Sequence, residues 1–203
     1  KVDDLRKEYA ARRRDFSNLI IGEDPSERDL SSCVLPGINF SGSVISHGNF
    51  HSATLDQGRF IKAFLEGARF GGATLLQANF SNALLFNARF DGGKDFEGAK
   101  LDGSIFDGAV LTQANFSGVR LAGVSLKGAV LRHAIFIGAK FMEGDLCGSD
   151  LTGAKIEEAS FANTKINRVT FETISKETLE QLWKKGLRVV WVTDDLAFLT
   201  SKR

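Results

Sequence analysis

From Leu30 onward the chain places a large apolar residue at every fifth position. The run reads Leu30, Leu35, Phe40, Ile45, Phe50, Leu55, Phe60, Leu65, Phe70, Leu75, Phe80, Leu85 and Phe90. By the same count the next centre is Phe96, one residue late, and the period resumes through Leu101, Phe106, Leu111 and Phe116 as far as Phe171. Neither an α-helix nor an ordinary strand repeats every five residues. The residue two before each centre is small almost throughout, as at Ala53, Ala63, Ala68 and Ala73, and the residue two after is often Gly, as at Gly67, Gly72, Gly103 and Gly108.

These spacings set an inward pair of side chains and a turn. Two residues apart, a small and a large side chain point the same way, as strand geometry requires. The chain then turns, where Gly relieves the steric limits. Four such sides would close a square coil of about twenty residues, and stacked coils would lie about 4.8 Å apart. Twenty-nine centres give about seven coils, so a rod roughly 35 Å long.

The segments "ATLLQ", "ANFSN", "ARFDG", "AVLTQ" and "ANFSG" carry the pattern most clearly. In them the chain resembles the pentapeptide-repeat proteins, over Leu30 to Phe171. The resemblance implies an all-β solenoid, a right-handed quadrilateral β-helix. An open solenoid needs its ends covered. Residues 1–29 read as an N-terminal cap, with a helix over 3–14 ("DDLRKEYAARRR") and an irregular first coil. Residues 30–173 form the solenoid, with a one-residue interruption at 91–95 ("DGGKD"). Residues 174–203 read as a C-terminal cap, with a helix over 176–185 and a strand-like "LRVVWV" at 187–192. The segment "LRKEYAARRRDF" is similar to the lead-in of cyanobacterial and plastid members of the family. That similarity implies a bacterial cytoplasm, or a thylakoid lumen if a targeting signal preceded Lys1.

No phosphate-binding loop, nucleophile elbow or HExxH metal motif is present. His47 and His51 lie close in sequence but on outward positions of adjoining sides. Two Cys do not make a disulfide framework. The expectation is a non-enzymatic chain with no catalytic residue, metal or cofactor. No apolar run approaches the roughly 20 residues of a membrane span. The formal net charge of +1 matches neither a nucleic-acid binder nor a strongly acidic DNA mimic.

Function is then sought on the outward slots just before each centre. Counting twenty residues per coil, with one added after Phe90, stacks these slots into four ladders. One reads Val44, Phe64, Leu84 and Ile105, with Phe86 alongside, and forms an apolar candidate interface. Another contains Arg59, Lys100, Arg120 and Lys140, a candidate face for an anionic partner. A third joins Asp29, Asn49, Arg69 and Arg89 to Val110 and Val130. Inside, Phe alternates with Leu, so the core is expected to hold ring columns on opposite sides: Phe50, Phe70 and Phe90 on one, Phe40, Phe60 and Phe80 on the other. The reading is a scaffold that binds an unidentified protein through its faces, or a second copy of itself through a cap or the apolar face. The resemblance implies an alternative, since some family members regulate a type II topoisomerase by mimicking DNA.

Overall fold

The computed structural model describes residues 2–22, 24–93, 98–171, 187–193 and 196–201. Its body is built from parallel bridges one coil apart: Asp29 pairs with Asn49, Val34 with Thr54, Asn39 with Arg59 and Val44 with Phe64. Four bridges twenty residues apart, recurring in this order, make a four-sided β-helix. Later rungs lengthen into short strands on one side: β1 (Arg120–Ala122), β2 (Lys140–Met142) and β3 (Ser160–Ala162), paired in the order β1-β2-β3.

Each side holds by two kinds of backbone bond. Between coils, Leu30 N–H donates to Asn49 C=O at 2.8 Å, and Asn49 N–H donates to Arg28 C=O at 2.9 Å. At each corner an N–H reaches back three residues, as from Ala63 to Phe60 C=O at 3.1 Å. The second residue after the centre takes a left-handed φ, +63° at Gly67 but also +57° at Lys62 and +58° at Arg168. The corner therefore fixes a backbone conformation, and glycine is the cheapest residue to occupy it rather than the only one.

The interior is apolar and aromatic. The centres from Leu30 to Leu151 in the described chain are essentially inaccessible, as are Ala53, Ala63 and the other small residues beside them. Phe50, Phe70, Phe90 and Phe116 stack at centroid spacings of 4.8, 5.0 and 4.6 Å, with ring planes within 8° of parallel. On the opposite side Phe60, Phe80 and Phe106 stack at 4.6 and 4.7 Å. The two columns meet edge to face, as between Phe70 and Phe80 at 5.7 Å and 84°. Coil spacing sets this arrangement, because a ring is about as far from its neighbour as one coil is from the next. Among the buried hydroxyls, Ser43 Oγ donates to Phe16 C=O at 2.9 Å and Ser104 Oγ to Leu75 C=O at 2.7 Å.

Two coils are longer than twenty residues. The first pairs Asp15 with Asn39 and Ile20 with Val44, twenty-four residues apart. Its extra residues fold into a 3-10 turn at Pro25–Arg28, capped by Asp24, whose Oδ1 accepts from Ser26 N–H at 2.8 Å. The other coil corrects the count made from sequence. Thr74 pairs with Lys100, Asn79 with Ile105, Leu84 with Val110 and Arg89 with Asn115, each twenty-six residues apart. The interruption adds six residues, not one. Ala99 N–H donates to Phe90 C=O at 2.7 Å where the chain re-enters its coil. Leu101 is therefore the centre of the side on which Lys100 pairs with Thr74. Phe96 and Lys94 lie outside the described residues.

Helix α1 (Val2–Ala10) is shorter than the expected 3–14. Arg12 turns the chain at a φ of +72°, which frees Asp15 to bridge Asn39. The helix buries Leu5 against the first coil. Tyr9 Oη donates to Pro36 C=O at 2.6 Å, and Arg6 Nε donates to Cys33 Sγ at 3.2 Å. At the other end β4 (Val169–Phe171), β5 (Leu187–Thr193) and β6 (Leu196–Ser201) form an antiparallel sheet in the order β4-β6-β5. The strand read at 187–192 is present as β5. The helix read at 176–185 lies outside the described residues. No helix among the described residues is long and apolar enough to cross a membrane.

Candidate interaction face

The outward slot before each centre has a structural job in this fold. Where it holds Asp or Asn, the side-chain oxygen accepts from the N–H just past the centre. Asp29 accepts from Ser31 at 3.1 Å, Asn79 from Ser81 at 2.9 Å, Asn115 from Ser117 at 2.9 Å and Asp150 from Thr152 at 3.0 Å. This local bond supports the corner that follows, in the manner of an Asx turn. Hydrogen bonding holds several of these carboxyls below the ordinary carboxylate pKa. For Asp29 the cause is first the bonds from Ser31 and then the one from Asn49 Nδ2. For Asp145 and Asp150 burial pushes the pKa up, but bonds to Cys147 and to Thr152 and Arg132 outweigh it.

Two sides go without this bond over most of their length: the ladder of Val34, Thr54, Thr74 and Lys100, which is largely polar, and one that is apolar. The apolar ladder runs Ile20, Val44, Phe64, Leu84, Val110, Val130, and only then Asp150. None of the six apolar side chains can accept a hydrogen bond, so the corners after Val44, Phe64, Leu84, Val110 and Val130 lack the Asx support. What they present instead is an apolar stripe. Ile20 is 74% exposed and Phe64 46%, while Val44, Leu84, Val110 and Val130 are half-buried. Phe86, one residue past the Leu85 centre, stands beside Leu84 and is 37% exposed.

The structure regroups the residues expected from sequence. Val44, Phe64, Leu84 and Phe86 share one side, as read. Ile105 does not join them: it pairs with Asn79 below and Ser125 above on a neighbouring side. Val110 and Val130 take its place, and Ile20 extends the ladder downward. The basic ladder also divides. Arg59 pairs with Asn39 and Asn79, whereas Lys100 continues the ladder of Val34, Thr54 and Thr74. Arg120 and Lys140 are paired rungs, with Lys100 one coil below Arg120, as Gly103 N–H donating to Ala122 C=O shows. The cause is the same in each case. Five residues more than counted at the interruption carry every later rung forward by one side. Within the basic ladder, Arg120 Nε sits 3.2 Å from an Asp102 carboxylate oxygen. Ile20 escaped the sequence reading because its coil is four residues long of the repeat. The signal that could have found it is "NLIIG" (18–22), which fits the five-residue pattern with Ile21 as centre.

His47 is drawn over Gly67, where an added Cβ would meet the His47 imidazole. No group of three metal-capable side chains comes together among the described residues. Cys33 is buried, and burial first, then Asp145, pushes the Cys147 thiol above its ordinary pKa, away from a reactive thiolate.

The family model of pentapeptide repeats matches in eight copies, over residues 29–60, 63–94, 95–128, 109–146 and 134–172. Among solved structures, a trypsin-treated variant of QnrB1, a plasmid-mediated fluoroquinolone resistance protein, aligns with a TM-score of 0.60 at 20% identity, covering 88% of this chain and 94% of that one. A second trypsin-treated QnrB1 variant aligns with a TM-score of 0.56 at 19% identity, covering 87% and 92%. HetL, a pentapeptide repeat protein involved in heterocyst differentiation regulation in the cyanobacterium Nostoc, aligns at 20% identity with a TM-score of 0.36, covering 82% and 95%. No curated protein sequence matches the chain. With eight repeat copies over most of its length and the four-sided coil they build, the chain is a right-handed quadrilateral β-helix and belongs to the pentapeptide-repeat family.

Proposed function

We propose that this protein is a non-catalytic scaffold that docks another protein on the apolar side of its solenoid. The observation that carries the reading is the unbroken ladder Ile20, Val44, Phe64, Leu84, Val110, Val130, flanked by Phe86. Six consecutive slots there carry apolar side chains where the sides of Asn39 and Asn49 hold Asp or Asn, and so leave apolar surface for a partner to cover. A stripe of this length presents a few hundred Å² of apolar surface, the scale of an interaction site. The stacked aromatic core keeps the face flat and rigid, so binding orders little of the solenoid itself. In the same reading, α1 and the C-terminal segment cap a rod of about seven coils, as the seven rungs from Asp29 to Lys155 suggest.

The test is the double substitution Phe64→Asp with Leu84→Asp. Oligomeric state and captured partners are compared with those of the intact chain. Loss of a specific partner or of self-association supports the face. Unchanged partners and unchanged oligomeric state contradict it.

The second reading, regulation of a type II topoisomerase by DNA mimicry, draws on the resemblance in fold to QnrB1. It requires a rod studded with acidic groups, and the formal charge of +1 and the Lys100, Arg120, Lys140 ladder count against it. Protection of gyrase from a fluoroquinolone by the purified chain would reverse the ranking.

A further inference from the structure

We propose that the occupant of the apolar side is a second copy of this chain, laid face to face and antiparallel, with the twofold axis crossing the rod between the rungs of Leu84 and Val110. The inference rests on the docking reading above and names what docks.

Two columns run along this side. The first is the apolar ladder. The second stands one residue past each centre and reads Glu66, Phe86, Thr112 and Arg132. Backbone bonds keep it in step: Gly67 N–H donates to Phe86 C=O at 2.8 Å, Asn87 N–H to Thr112 C=O at 3.0 Å and Gln113 N–H to Arg132 C=O at 2.9 Å. Both columns are graded along the rod. The lower half carries the bulk: Phe64 is 46% exposed and Phe86 37%, with Leu84 beside Phe86. The upper half is shallow, because Val110, Thr112 and Val130 are smaller and half-buried. Charge is graded as well. Glu66 and Arg132 are both exposed, and the three coils between them amount to about 14 Å at about 4.8 Å per coil.

A face graded in this way complements itself when it is reversed. A twofold axis in the plane of contact, at right angles to the rod, keeps each column on its own column and inverts the order of the rungs. Centred between Leu84 and Val110, it sets Leu84 on the other copy's Val110, Phe64 on Val130 and Phe86 on Thr112. Each pairing puts bulk against shallow ground. The same axis sets Glu66 against Arg132, twice over by symmetry. Glu66 makes no ion pair among the described residues. Arg132 is held by Asp150 at 2.6 Å, and a guanidinium with five N–H donors can serve two carboxylates. Other arrangements lose the fit. Parallel copies set Phe64 level with Phe64 and Glu66 level with Glu66. A slip of one rung sets Arg132 against Ser46 or Phe86. Each copy offers a few hundred Å² of apolar surface, the low end for a specific interface, so the dimer is reversible with a Kd on the order of micromolar.

The test is sedimentation equilibrium on the intact chain from about 1 to about 200 µM, a range that brackets the expected Kd. The chain should pass from monomer to dimer, and a chain that stays monomeric throughout overturns the proposal. Glu66→Arg sets Arg against Arg across the axis, and Arg132→Glu sets Glu against Glu. Each substitution should weaken the dimer at least about tenfold. An equimolar mixture of the two variants restores both ion pairs in a heterodimer and should associate nearly as tightly as the intact chain. Local damage does not give that recovery, although Arg132→Glu also takes a cation from Asp150. Val130→Phe sets bulk against Phe64, touches no charge and should weaken the dimer too, which keeps the test intact if Arg132→Glu fails to fold. A dimer that neither Glu66→Arg nor Val130→Phe weakens overturns the arrangement, as does a mixture of folded variants that stays monomeric. If Phe64→Asp with Leu84→Asp removes a specific partner of another sequence while the intact chain is monomeric, the second copy fails and the docking face stands. If that substitution changes neither partners nor oligomeric state, both fail.

Discussion

Thr74 pairs with Lys100 across a coil of twenty-six residues, and this one pairing decides which side chains above Phe90 share a side. Below it, the apolar ladder holds Val44, Phe64 and Leu84. Above it, the ladder continues through Val110 and Val130 because the coil has taken up six extra residues. The interruption is thus compatible with continuity on the apolar side and breaks up the basic ladder expected from sequence.

The aromatic columns should dominate stability. Phe70 is stacked between Phe50 and Phe90 and meets Phe60 and Phe80 edge to face. Phe70→Ala is expected to cost about 3–5 kcal/mol in denaturant unfolding. Phe64→Thr, on the outside of a neighbouring side, should change stability by no more than about 1 kcal/mol. A comparable cost at both positions would mean that Phe64 is a structural residue rather than part of a free face.

Corner residues test the backbone account. Lys62 holds a φ of +57°, a conformation that costs a residue with a Cβ more than it costs glycine. Lys62→Gly should therefore stabilise the chain by about 0.5–1 kcal/mol, despite the greater freedom glycine gives the unfolded state. Destabilisation would show that the lysine side chain contributes more than its backbone costs.

The outward carboxyls give the protein an acid limb. Asp15, Asp29, Asp145 and Asp150 all have folded-state pKa values below the ordinary one. As the pH falls the unfolded chain takes up protons first, so stability from these groups is complete above the unfolded pKa of about 4 and is lost as the pH drops through the folded values. Asp29→Asn keeps an oxygen that can accept from Ser31 N–H but does not titrate. It should leave the melting temperature at pH 7 nearly unchanged and make the decline below about pH 4 shallower. A decline parallel to that of the original chain would contradict the role given to Asp29.

The interior was legible from spacing alone, while the faces were not, and one number explains the difference. The counted interruption of one residue and the observed one of six differ by five, which is one side. A shift of one side leaves every centre and every small residue pointing inward, so Leu101, Phe106 and Leu111 are core under either count. It moves every outward slot to the next side, which is why Ile105 and Arg59 were grouped with the wrong neighbours. Sequence periodicity at five carries no mark of where a coil of twenty begins. Phe96, one residue late, was counted as the next centre, and the pairing of Thr74 with Lys100 gives the count that the period alone does not. Ile20 was hidden for a related reason, since four additional residues around Pro25–Arg28 separate its coil from the regular run.

Continuity of the apolar ladder across the interruption is the central claim, and engineered cysteine pairs test it most directly. With Cys33 and Cys147 replaced by Ala, one variant carries Leu84→Cys and Val110→Cys, and the other carries Leu84→Cys and Ile105→Cys. Adjacent rungs at about 4.8 Å fall within the reach of a disulfide, whereas residues on different sides do not. Mild oxidation followed by mass spectrometry should show an intramolecular disulfide in the first variant and free thiols in the second. A disulfide between positions 84 and 105, with none between 84 and 110, would contradict the account.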